Sequence, residues 1–269
     1  MLKNRDLKIL IKGAGEMASG IAYQLYRNNY KVCLTEIAMP LAVSRATCYS
    51  EAVFDGIKTI EGVTARLVRS TIKDIAACWQ RGDIPLVIDP NTEIKTELRS
   101  DVVIDARMMK KSTDTKITDA ALVIGIGNGF VAGTDVHVVV ETNDVGGNLG
   151  KLIYQGESEP NTGRPIVVGG LTSERVVWAS RSGTFTSSMK IGDPVEAGQV
   201  IGTIDGVAVN APLSGHLRGL IKDGVAVTKG AKLIEVDHVN QPETFAIIRE
   251  KMRLIGSSVL SAIEQWQNK

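Results

Sequence analysis

The feature that most constrains the fold is a short strand, a glycine turn and a helix in direct succession over residues 7–19. The strand is the apolar run LKILIK, the turn is Gly13-Ala14-Gly15, and the helical pattern begins with EMASG. In this context a G-x-G motif is typical of phosphate binding, because the helix N terminus offers unpaired N–H groups and a partial positive charge. The segment therefore predicts a site for a phosphate-bearing ligand.

Each residue of this turn has a physical reason to be there. Gly13 allows the tight turn at the end of the strand, and Gly15 has no Cβ, so that a pyrophosphate can approach the main chain. Ala18 is small enough for the helix and the strand to pack closely. The predicted cofactor-binding residues of the turn are Gly13, Gly15, Glu16, Met17 and Ala18. The alternative is that the glycines serve packing alone.

Two acidic residues at predicted strand ends extend this site. The second strand, YKVCLTE, ends at Glu36, whose carboxylate could accept from a ribose 2′-hydroxyl and would repel the 2′-phosphate of NADP. Asp89 ends a later strand at the same predicted edge and completes the cofactor-binding set. Together these features predict a Rossmann-type βαβ unit that binds NAD or another dinucleotide. The alternatives are a solvated carboxylate at Glu36 and a cap of the following turn at Asp89.

The composition limits the classes of function that the chain can have. Its 269 residues, 43% of them hydrophobic, are enough for two domains with sizeable cores. The net charge of +1, with interspersed acids and bases, argues against a nucleic-acid surface. The sequence shows no membrane-spanning run and no signal peptide. Its three cysteines lack metal-ligand spacing, so we expect a reduced, cytoplasmic protein without disulfides.

Strand and helix patterns alternate up to residue 130, which predicts a doubly wound, mostly parallel sheet. A glycine-rich segment follows the last of these strands and contains Gly127, Asn128 and Gly129. One interpretation is a phosphate or anion loop made of backbone N–H groups. The other is a bulged or sharply turned pair of strands, which needs glycine equally.

The next predicted strand carries polar residues on one face. With a period of two, Asp135, His137 and Glu141 lie on one side and valines lie on the other. An imidazole between two carboxylates could hold a metal ion or act in acid–base catalysis, so these three are the predicted catalytic residues. The alternative is the solvated face of an edge strand. The sequence does not specify a metal.

The C-terminal third contains an internal repeat with an offset of 32 residues, in which IGDPVEAGQVIGTID corresponds to DGVAVTKGAKLIEVD. Two strand–turn–strand copies related by pseudo-symmetry predict a small closed β-structure. The pattern resembles the biotinyl/lipoyl barrel-sandwich domain. Carrier domains of that family need a lysine at the hairpin tip, but residues 199–211 contain none. We therefore expect an unmodified module, without attached biotin or lipoate.

The apolar residues near the C terminus repeat with heptad spacing from Phe245 to Trp266, which indicates a helix. Such a stripe packs on the protein's own core or across a homo-oligomer interface, and Gly256 is expected to bend or break the helix. The predicted α/β protein therefore has three parts: a Rossmann-like nucleotide-binding domain at residues 1–130, a β-rich domain at 131–240 with the barrel-sandwich repeat at 182–239, and a helical segment at 241–269.

Several stretches, spread over almost the whole chain, carry a further resemblance: IKGAGEMASGIAYQL, TEIAMPLAVSRATCYSEAVFDG, VVIDARMMKK, IGIGNGFVAGTDVHVVVET, LGKLIYQGESEPNTG, IGDPVEAGQVIG and GHLRGLIKDGVAVTKGAKLIEVD. In these the sequence resembles the YqeB family, the accessory proteins of the selenium-dependent molybdenum hydroxylase system. The resemblance implies a Rossmann-like N-terminal half and a role in maturing a molybdenum enzyme or its cofactor. The implied partners are a molybdenum hydroxylase and a small nucleotide-type ligand such as molybdopterin dinucleotide.

The sequence departs from the pattern of that family at three places. Asn128 stands where the family tends to have proline, residues 143–147 replace an R-G-H segment, and residues 237–239 replace D-P-R. Three functions stay open: a maturation factor that binds a nucleotide, an NAD-dependent oxidoreductase with His137 as general acid, and a non-catalytic scaffold with a degenerate site. The departures favour the scaffold over the oxidoreductase, and they leave open whether the chain is an enzyme.

Overall fold

The computed structural model describes residues 6–109 and 114–268. The chain forms two compact units, of which the first comprises Met1–Pro40, Tyr49–Thr162 and Ile248–Lys269, and the second Leu41–Cys48 and Gly163–Ile247. This division differs from the predicted boundaries after residues 130 and 240, because later strands join the first sheet and the C-terminal helix packs on the first helix. No helix in the described ranges is both long and apolar enough to cross a lipid bilayer.

The first unit is built around one large sheet. Among the described residues, the strands of the whole unit are β1 (Lys8–Lys12), β2 (Lys31–Glu36), β3 (Ile57–Ile60), β4 (Val63–Leu67), β5 (Ile84–Ile88), β6 (Val102–Asp105), β7 (Leu122–Ile126), β8 (Val131–Ala132), β9 (Val138–Val140), β10 (Leu152–Ile153) and β11 (Gly156–Glu157). Its helices are α1 (Glu16–Arg27), α2 (Ala52–Asp55), α3 (Ile72–Arg81), α4 (Ile94–Leu98) and α5 (Glu250–Gln267). The sheet has the strand order β10-β9-β7-β6-β1-β2-β5-β4-β3, and β8 pairs with β11.

The centre of this sheet is parallel. β1 lies between β2 and β6, with Leu10 opposite Cys33 and Val103. From β9 to β4 in the sheet order, every neighbouring pair of strands is parallel. Ile9, Leu10 and Ile11 are fully buried. Because such strands are covered on both faces, their sequences are continuous apolar runs and do not alternate.

The predicted fold class, a Rossmann-like doubly wound sheet followed by a barrel-sandwich domain, is wrong. The large sheet is mixed, since β3 pairs antiparallel with β4 at one edge and β10 pairs antiparallel with β9 at the other. The β3–β4 connection turns through Glu61 and Gly62, both with positive φ, so it is a tight hairpin turn and not a crossover helix. The second unit consists of two separate four-stranded antiparallel sheets.

The second unit contains both copies of the sequence repeat. Among the described residues its strands are β12 (Val176–Trp178), β13 (Gly183–Thr186), β14 (Pro194–Val195), β15 (Val200–Ile204), β16 (Val207–Asn210), β17 (Gly215–Leu220), β18 (Ala226–Val227) and β19 (Lys232–Asp237). The two sheets have the orders β12-β19-β17-β14 and β16-β15-β13-β18. Each copy therefore gives a short strand, β14 or β18, to one sheet and a longer strand, β15 or β19, to the other. The repeated apolar positions are buried, namely Val195, Ile201, Ile204, Val227, Leu233 and Val236.

The C-terminal helix packs on the first helix within the first unit. The prediction was a bend or a break at Gly256, and α5 runs through that position without a break. Gly256 instead permits a close approach, because a Cβ there would lie 2.9 Å from both the carbonyl oxygen of Gly20 and the Cβ of Gln24. A Cβ on Gly20 would lie 2.7 Å from the Cβ of Met252. The apolar stripe of α5 is thus buried on the protein's own first unit.

Replacing Gly256 with alanine should destabilise the protein, although alanine is normally the better helix former by about 0.5–1 kcal/mol. The added Cβ would meet the backbone of α1, and overpacking of this kind costs about 1–3 kcal/mol. We expect the melting temperature to fall by about 2–8 °C. Ser257→Ala, at the exposed neighbouring position, is the matched control and should not lower it. A Gly256→Ala variant as stable as the wild type would contradict the described helix packing.

Candidate functional site

The parallel strands of the first unit end together at one edge of the sheet, which we call the carboxyl edge. The glycine turn follows β1, Glu36 ends β2, Asp89 follows β5, Asp105 ends β6 and Glu141 follows β9. Open parallel sheets bind their ligands outside this edge. The structure therefore brings most of the predicted cofactor residues to one side of the sheet.

The glycine turn has the conformation that the sequence predicts. Gly13 has a φ of +96°, and its N–H donates to the carbonyl oxygen of Thr35 at 2.9 Å. Gly15 is the N-cap of α1, and no described atom lies within 4 Å of the position that its Cβ would take. Ala18 is fully buried. The space on the side-chain side of Gly15 is therefore open, next to the helix end whose first N–H groups have no acceptor within the helix.

Glu36 is attached to the glycine turn. Its Oε2 accepts a hydrogen bond from Ala14 N at 2.8 Å, and its Oε1 accepts one from Ile37 N at 2.8 Å. Burial raises the pKa of Glu36, and these two hydrogen bonds oppose the shift. Glu36 is therefore not the solvated carboxylate of the alternative interpretation. Because an ionised carboxylate has about four lone-pair positions, it retains capacity for a ligand hydroxyl.

Asp89 holds the start of a helix. Its Oδ1 accepts from Glu93 N at 3.0 Å, and its Oδ2 accepts from Ile94 N at 2.9 Å. Both oxygens therefore serve the backbone at the beginning of α4. The geometry agrees with the capping interpretation of Asp89.

Glu16 and Met17 form the first turn of α1. Met17 is buried. The Oε1 of Glu16 is also buried, lies 3.3 Å from Nε of Arg249, and accepts no hydrogen bond within the described part of the chain. A carboxylate at this helix end opposes an anionic ligand, and the Arg249 guanidinium offsets that charge.

A buried ion cluster, which was not predicted from the sequence, lies beside the glycine turn. This edge cluster consists of Lys12, Asp105, Arg107, Asp114 and Thr115. The Nζ of Lys12, a fully buried side chain, donates to Asp114 Oδ2 at 2.9 Å and to Thr115 Oγ1 at 2.8 Å. Arg107 donates to Asp105 at 2.6 and 3.0 Å, and to Asp114 Oδ1 at 2.5 Å. Thr115 Oγ1 donates to Asp105 Oδ2 at 2.6 Å.

The edge cluster balances two cationic side chains against two carboxylates. Burial lowers the pKa of Lys12, and the hydrogen bond to Asp114 opposes this shift. Burial alone would raise the pKa of Asp114, but hydrogen bonds from Arg107 and Lys12 outweigh it and lower that pKa to about 2. Burial would lower the pKa of Arg107, but its bonds to the two carboxylates raise it. Asp114 and Arg107 are therefore ionised at neutral pH.

Arg107 connects the edge cluster to the glycine turn. A Cβ on Gly13 would lie 3.3 Å from Arg107 Cγ and 3.4 Å from its Cα. The positive φ of Gly13 favours glycine, and a Cβ at this position would also be crowded by Arg107. Arg107 thus covers the first glycine of the turn, whereas Gly15, two residues further on, is open.

The predicted anion loop makes its contacts within the protein. Gly127 N donates to the last carbonyl oxygen of β9 at 2.9 Å, and a Cβ on Gly127 would lie 2.6 Å from Thr142 Oγ1. The side-chain amide of Asn128 donates to the carbonyl oxygen of Glu159, and Gly129 has a φ of +102°. The glycines therefore serve a sharp turn and a close approach, as in the second interpretation of this segment.

The predicted catalytic residues do not share a strand face. β9 has only three residues, and Asp135, His137 and Glu141 all fall outside it. Asp135 Oδ2 accepts from Val131 N at 2.9 Å, and His137 Nδ1 accepts from Val123 N at 3.0 Å. Burial lowers the pKa of His137, which suits a neutral imidazole in that acceptor role. Because His137 precedes β9 and Glu141 follows it, these two lie at opposite ends of the strand.

Glu141 organises the loop after β9. Its Oε1 accepts from Thr142 N and Asn143 N, each at 2.7 Å, and its Oε2 accepts from Glu159 N at 2.7 Å. Because Glu141 is only 1% exposed, these backbone N–H groups replace water as the hydrogen-bond donors to its carboxylate. Within the described ranges, no group of three or more His, Cys, Asp and Glu side chains is placed to hold a metal ion.

Lys12 is the member of the edge cluster that a sequence signal could have revealed. It ends an apolar run that becomes the central strand, and a buried lysine is almost always paired with an acid. Asp105 lies opposite Lys12 in the β1–β6 register, and it ends another predicted strand. Asp114 is 102 residues away from Lys12 in the chain, and no local pattern links the two.

The fold and the site together define a mixed α/β protein with a glycine turn and a charged cluster at the carboxyl edge of its sheet. No protein-family model matches the chain. Over 255 residues, 95% of its length, the chain is 40% identical to the uncharacterized protein YqeB of Escherichia coli strain K12. This supports the resemblance to the YqeB family. The chain spans 47% of the length of that relative.

Two solved structures show a weak overall likeness. The product-bound ectoine utilization protein EutE (DoeB) from Ruegeria pomeroyi is 11% identical, with a TM-score of 0.25 over 87% of this chain and 86% of that chain. A succinylglutamatedesuccinylase/aspartoacylase from Rhodobacter sphaeroides is 16% identical, with a TM-score of 0.28 over 88% of this chain and 87% of that chain. TM-scores this low establish neither a common fold nor a common activity.

Replacing Glu141 with glutamine should destabilise the first unit. One acceptor oxygen becomes an NH2 group that faces backbone donors, and an unpaired buried polar group costs about 1–3 kcal/mol. We expect a lower midpoint of urea unfolding. Glu157→Gln, an exposed carboxylate in β11, is the control and should leave the midpoint in place. An unchanged midpoint for Glu141→Gln would contradict the anchoring role of this residue.

The edge cluster should give stability a defined dependence on acid pH. The folded pKa of Asp114, about 2, lies below its ordinary value of 3.8. Ionised Asp114 therefore stabilises the folded state above roughly pH 4, and this contribution is lost as the pH falls through about 2. We expect Asp114→Asn to have a lower melting temperature than the wild type at neutral pH. The gap between the two melting temperatures should narrow as the pH falls from about 4 to about 2. Thermal melts across this range measure the gap, and a gap that does not change with pH would contradict the described ion pairing.

Proposed function

We propose that this chain binds a nucleotide-type ligand through its diphosphate at the carboxyl edge. We further propose that it serves as an accessory protein in the maturation of a selenium-dependent molybdenum hydroxylase. The observation that carries the binding proposal is the open backbone at Gly15, two residues from the glycine against which the Arg107 side chain packs. The maturation role is supported by the resemblance to the YqeB family.

The diphosphate would be held by backbone N–H groups and cationic side chains together. α1 has 12 residues, long enough for a substantial partial positive charge at its N terminus. The missing side chain at Gly15 leaves that end open to a phosphate. Arg107 and Lys12 place two further positive charges near the same turn. Asp105 and Asp114 balance these two charges in the described structure, so the side chains would favour an anionic ligand as hydrogen-bond donors and not through a net positive charge.

The surroundings of Glu36 support a ligand that carries a sugar and a base. Ile37 and Ile88 are 40% and 42% exposed, and Ile88 lies directly opposite Glu36 in the β2–β5 register. In our proposal these two side chains would contact the planar base, next to the acceptor that receives the ribose hydroxyl. The Glu36 carboxylate would accept from the ribose and would repel a 2′-phosphate.

NAD and molybdopterin dinucleotide both fit this description, because each contains a diphosphate and a nucleoside. The residues of the carboxyl edge would bind and orient the part that these ligands have in common. Hydride transfer would also need a proton donor near the ligand, and the predicted one, His137, lies before β9 with its Nδ1 bonded to Val123. The oxidoreductase alternative therefore gains no support from the geometry.

A thermal-shift panel of NAD, NADP, ATP, CTP and molybdopterin dinucleotide tests the binding proposal. A ligand at 100 times its Kd stabilises the folded state by about 2.7 kcal/mol through mass action. We expect a clear rise of the melting temperature for a dinucleotide, and a smaller one for NADP than for NAD. No rise with any ligand, in protein that is folded by circular dichroism, would overturn the proposal.

Substitutions at Gly15 show whether the glycine turn is the binding site. Gly15→Ala and Gly15→Val add one and three carbon atoms at a position with open space and ordinary φ, so both variants should fold. Ligand affinity should fall in that order, because the side chain obstructs the approach of the phosphate. Ala77→Val, at an exposed position of α3, is the control. Unchanged affinity in Gly15→Val would place the ligand elsewhere.

A further inference from the structure

Asp114 differs in its surroundings from the other carboxylate of the edge cluster. Asp105 is 1% exposed and is bonded to Arg107 and to Thr115. Asp114 is 49% exposed, yet one of its oxygens meets Lys12 Nζ and the other meets Arg107 Nη2. It therefore occupies the solvent side of the cluster, where an anion from outside could reach the same two cations.

We propose that the Asp114 carboxylate occupies the position of a ligand phosphate between Lys12 and Arg107, and that it competes with the ligand for this position. The inference rests on the proposed function and makes it more specific. Lys12 Nζ and Arg107 Nη2 are the phosphate-binding groups, and Asp114 is the residue that sets the affinity for the phosphate. No covalent step is involved, because one anion exchanges for another at the same hydrogen-bond donors.

The charge balance of the cluster explains why such a competitor is needed. With Asp114 in place, Lys12 and Arg107 are matched by two carboxylates, and buried charges are tolerated only when they are paired. Without it, Lys12 would keep a single neutral partner, Thr115, and the cluster would carry one uncompensated positive charge. A phosphate that enters restores the pairing. An internal carboxylate thus keeps Lys12 paired and hydrogen-bonded before the ligand arrives.

The same geometry defines the class of ligand. The two donor groups are bridged by the two oxygens of one carboxylate, each at hydrogen-bond distance. Two oxygens of a phosphate can bridge the same donors, with a higher negative charge than a carboxylate carries. A phosphate therefore displaces Asp114, whereas a neutral ligand gains nothing at this position.

The test measures binding of inorganic pyrophosphate by titration calorimetry to the wild type, Asp114→Asn and Arg107→Gln. Asparagine keeps the shape of the side chain and removes its charge. We expect pyrophosphate to bind Asp114→Asn about tenfold more tightly than the wild type, because a like charge next to the phosphate has been removed. Arg107→Gln should bind about tenfold more weakly or worse. The control is Asp83→Asn, which removes a carboxylate that lies just before β5 and is paired with Arg66. This variant should bind pyrophosphate as tightly as the wild type does.

The outcomes separate the two proposals. If Arg107→Gln weakens binding but Asp114→Asn binds no more tightly than the wild type, the competition is refuted and the phosphate site stands. If no variant binds pyrophosphate, or if Arg107→Gln binds as well as the wild type, the proposed diphosphate site itself is refuted. Asp114→Ser, which keeps a hydrogen-bond acceptor for Lys12, replaces Asp114→Asn if the latter does not fold, and the same tightening is expected.

Discussion

The first unit depends on the burial of a charged residue at the end of its central strand. β1 has a parallel strand on each side, and Lys12, its last residue, is fully buried. A buried ammonium group needs an acid partner and hydrogen-bond acceptors. Asp105 lies directly opposite Lys12 in the β1–β6 register, and Asp114 and Thr115 accept its hydrogen bonds. The chain beyond β6 must therefore return to the end of β1.

This return also places Arg107 against the glycine turn. Arg107 pairs with Asp105 and Asp114, and its side chain packs so closely on Gly13 that a Cβ there would be crowded. Both the turn and the cluster are therefore structural requirements of the strand pair β1–β6. A phosphate site at this position would use groups that are already in place and ordered, so little conformational entropy would be lost on binding.

Local features of the chain could be predicted from the sequence, and long-range ones could not. The strand, turn and helix around Gly13 and Gly15 are found as predicted, because turn geometry and helix pattern are encoded over adjacent residues. The fold class was wrong because apolar runs show that a strand is buried but not which strand it pairs with, or in which direction. The alternation around His137 has the same weakness, since it does not show that β9 is only three residues long. The pairing of Lys12 with Asp114 joins residues 102 positions apart.

The carboxylates at the carboxyl edge differ in what their oxygens bind, and this difference decides which of them a ligand could replace. Glu36, Asp89 and Glu141 accept from backbone N–H groups that are fixed by the fold. Removing any of these acceptors would leave buried donors unpaired, which is costly. Asp114 instead accepts from the side chains of Lys12 and Arg107, whose donors another anion can satisfy equally well. Asp105 also pairs with Arg107, but it is 1% exposed, whereas Asp114 is 49% exposed. The carboxylates that accept from the backbone are therefore part of the scaffold, and Asp114 is the exposed carboxylate that a ligand phosphate would replace in our proposal.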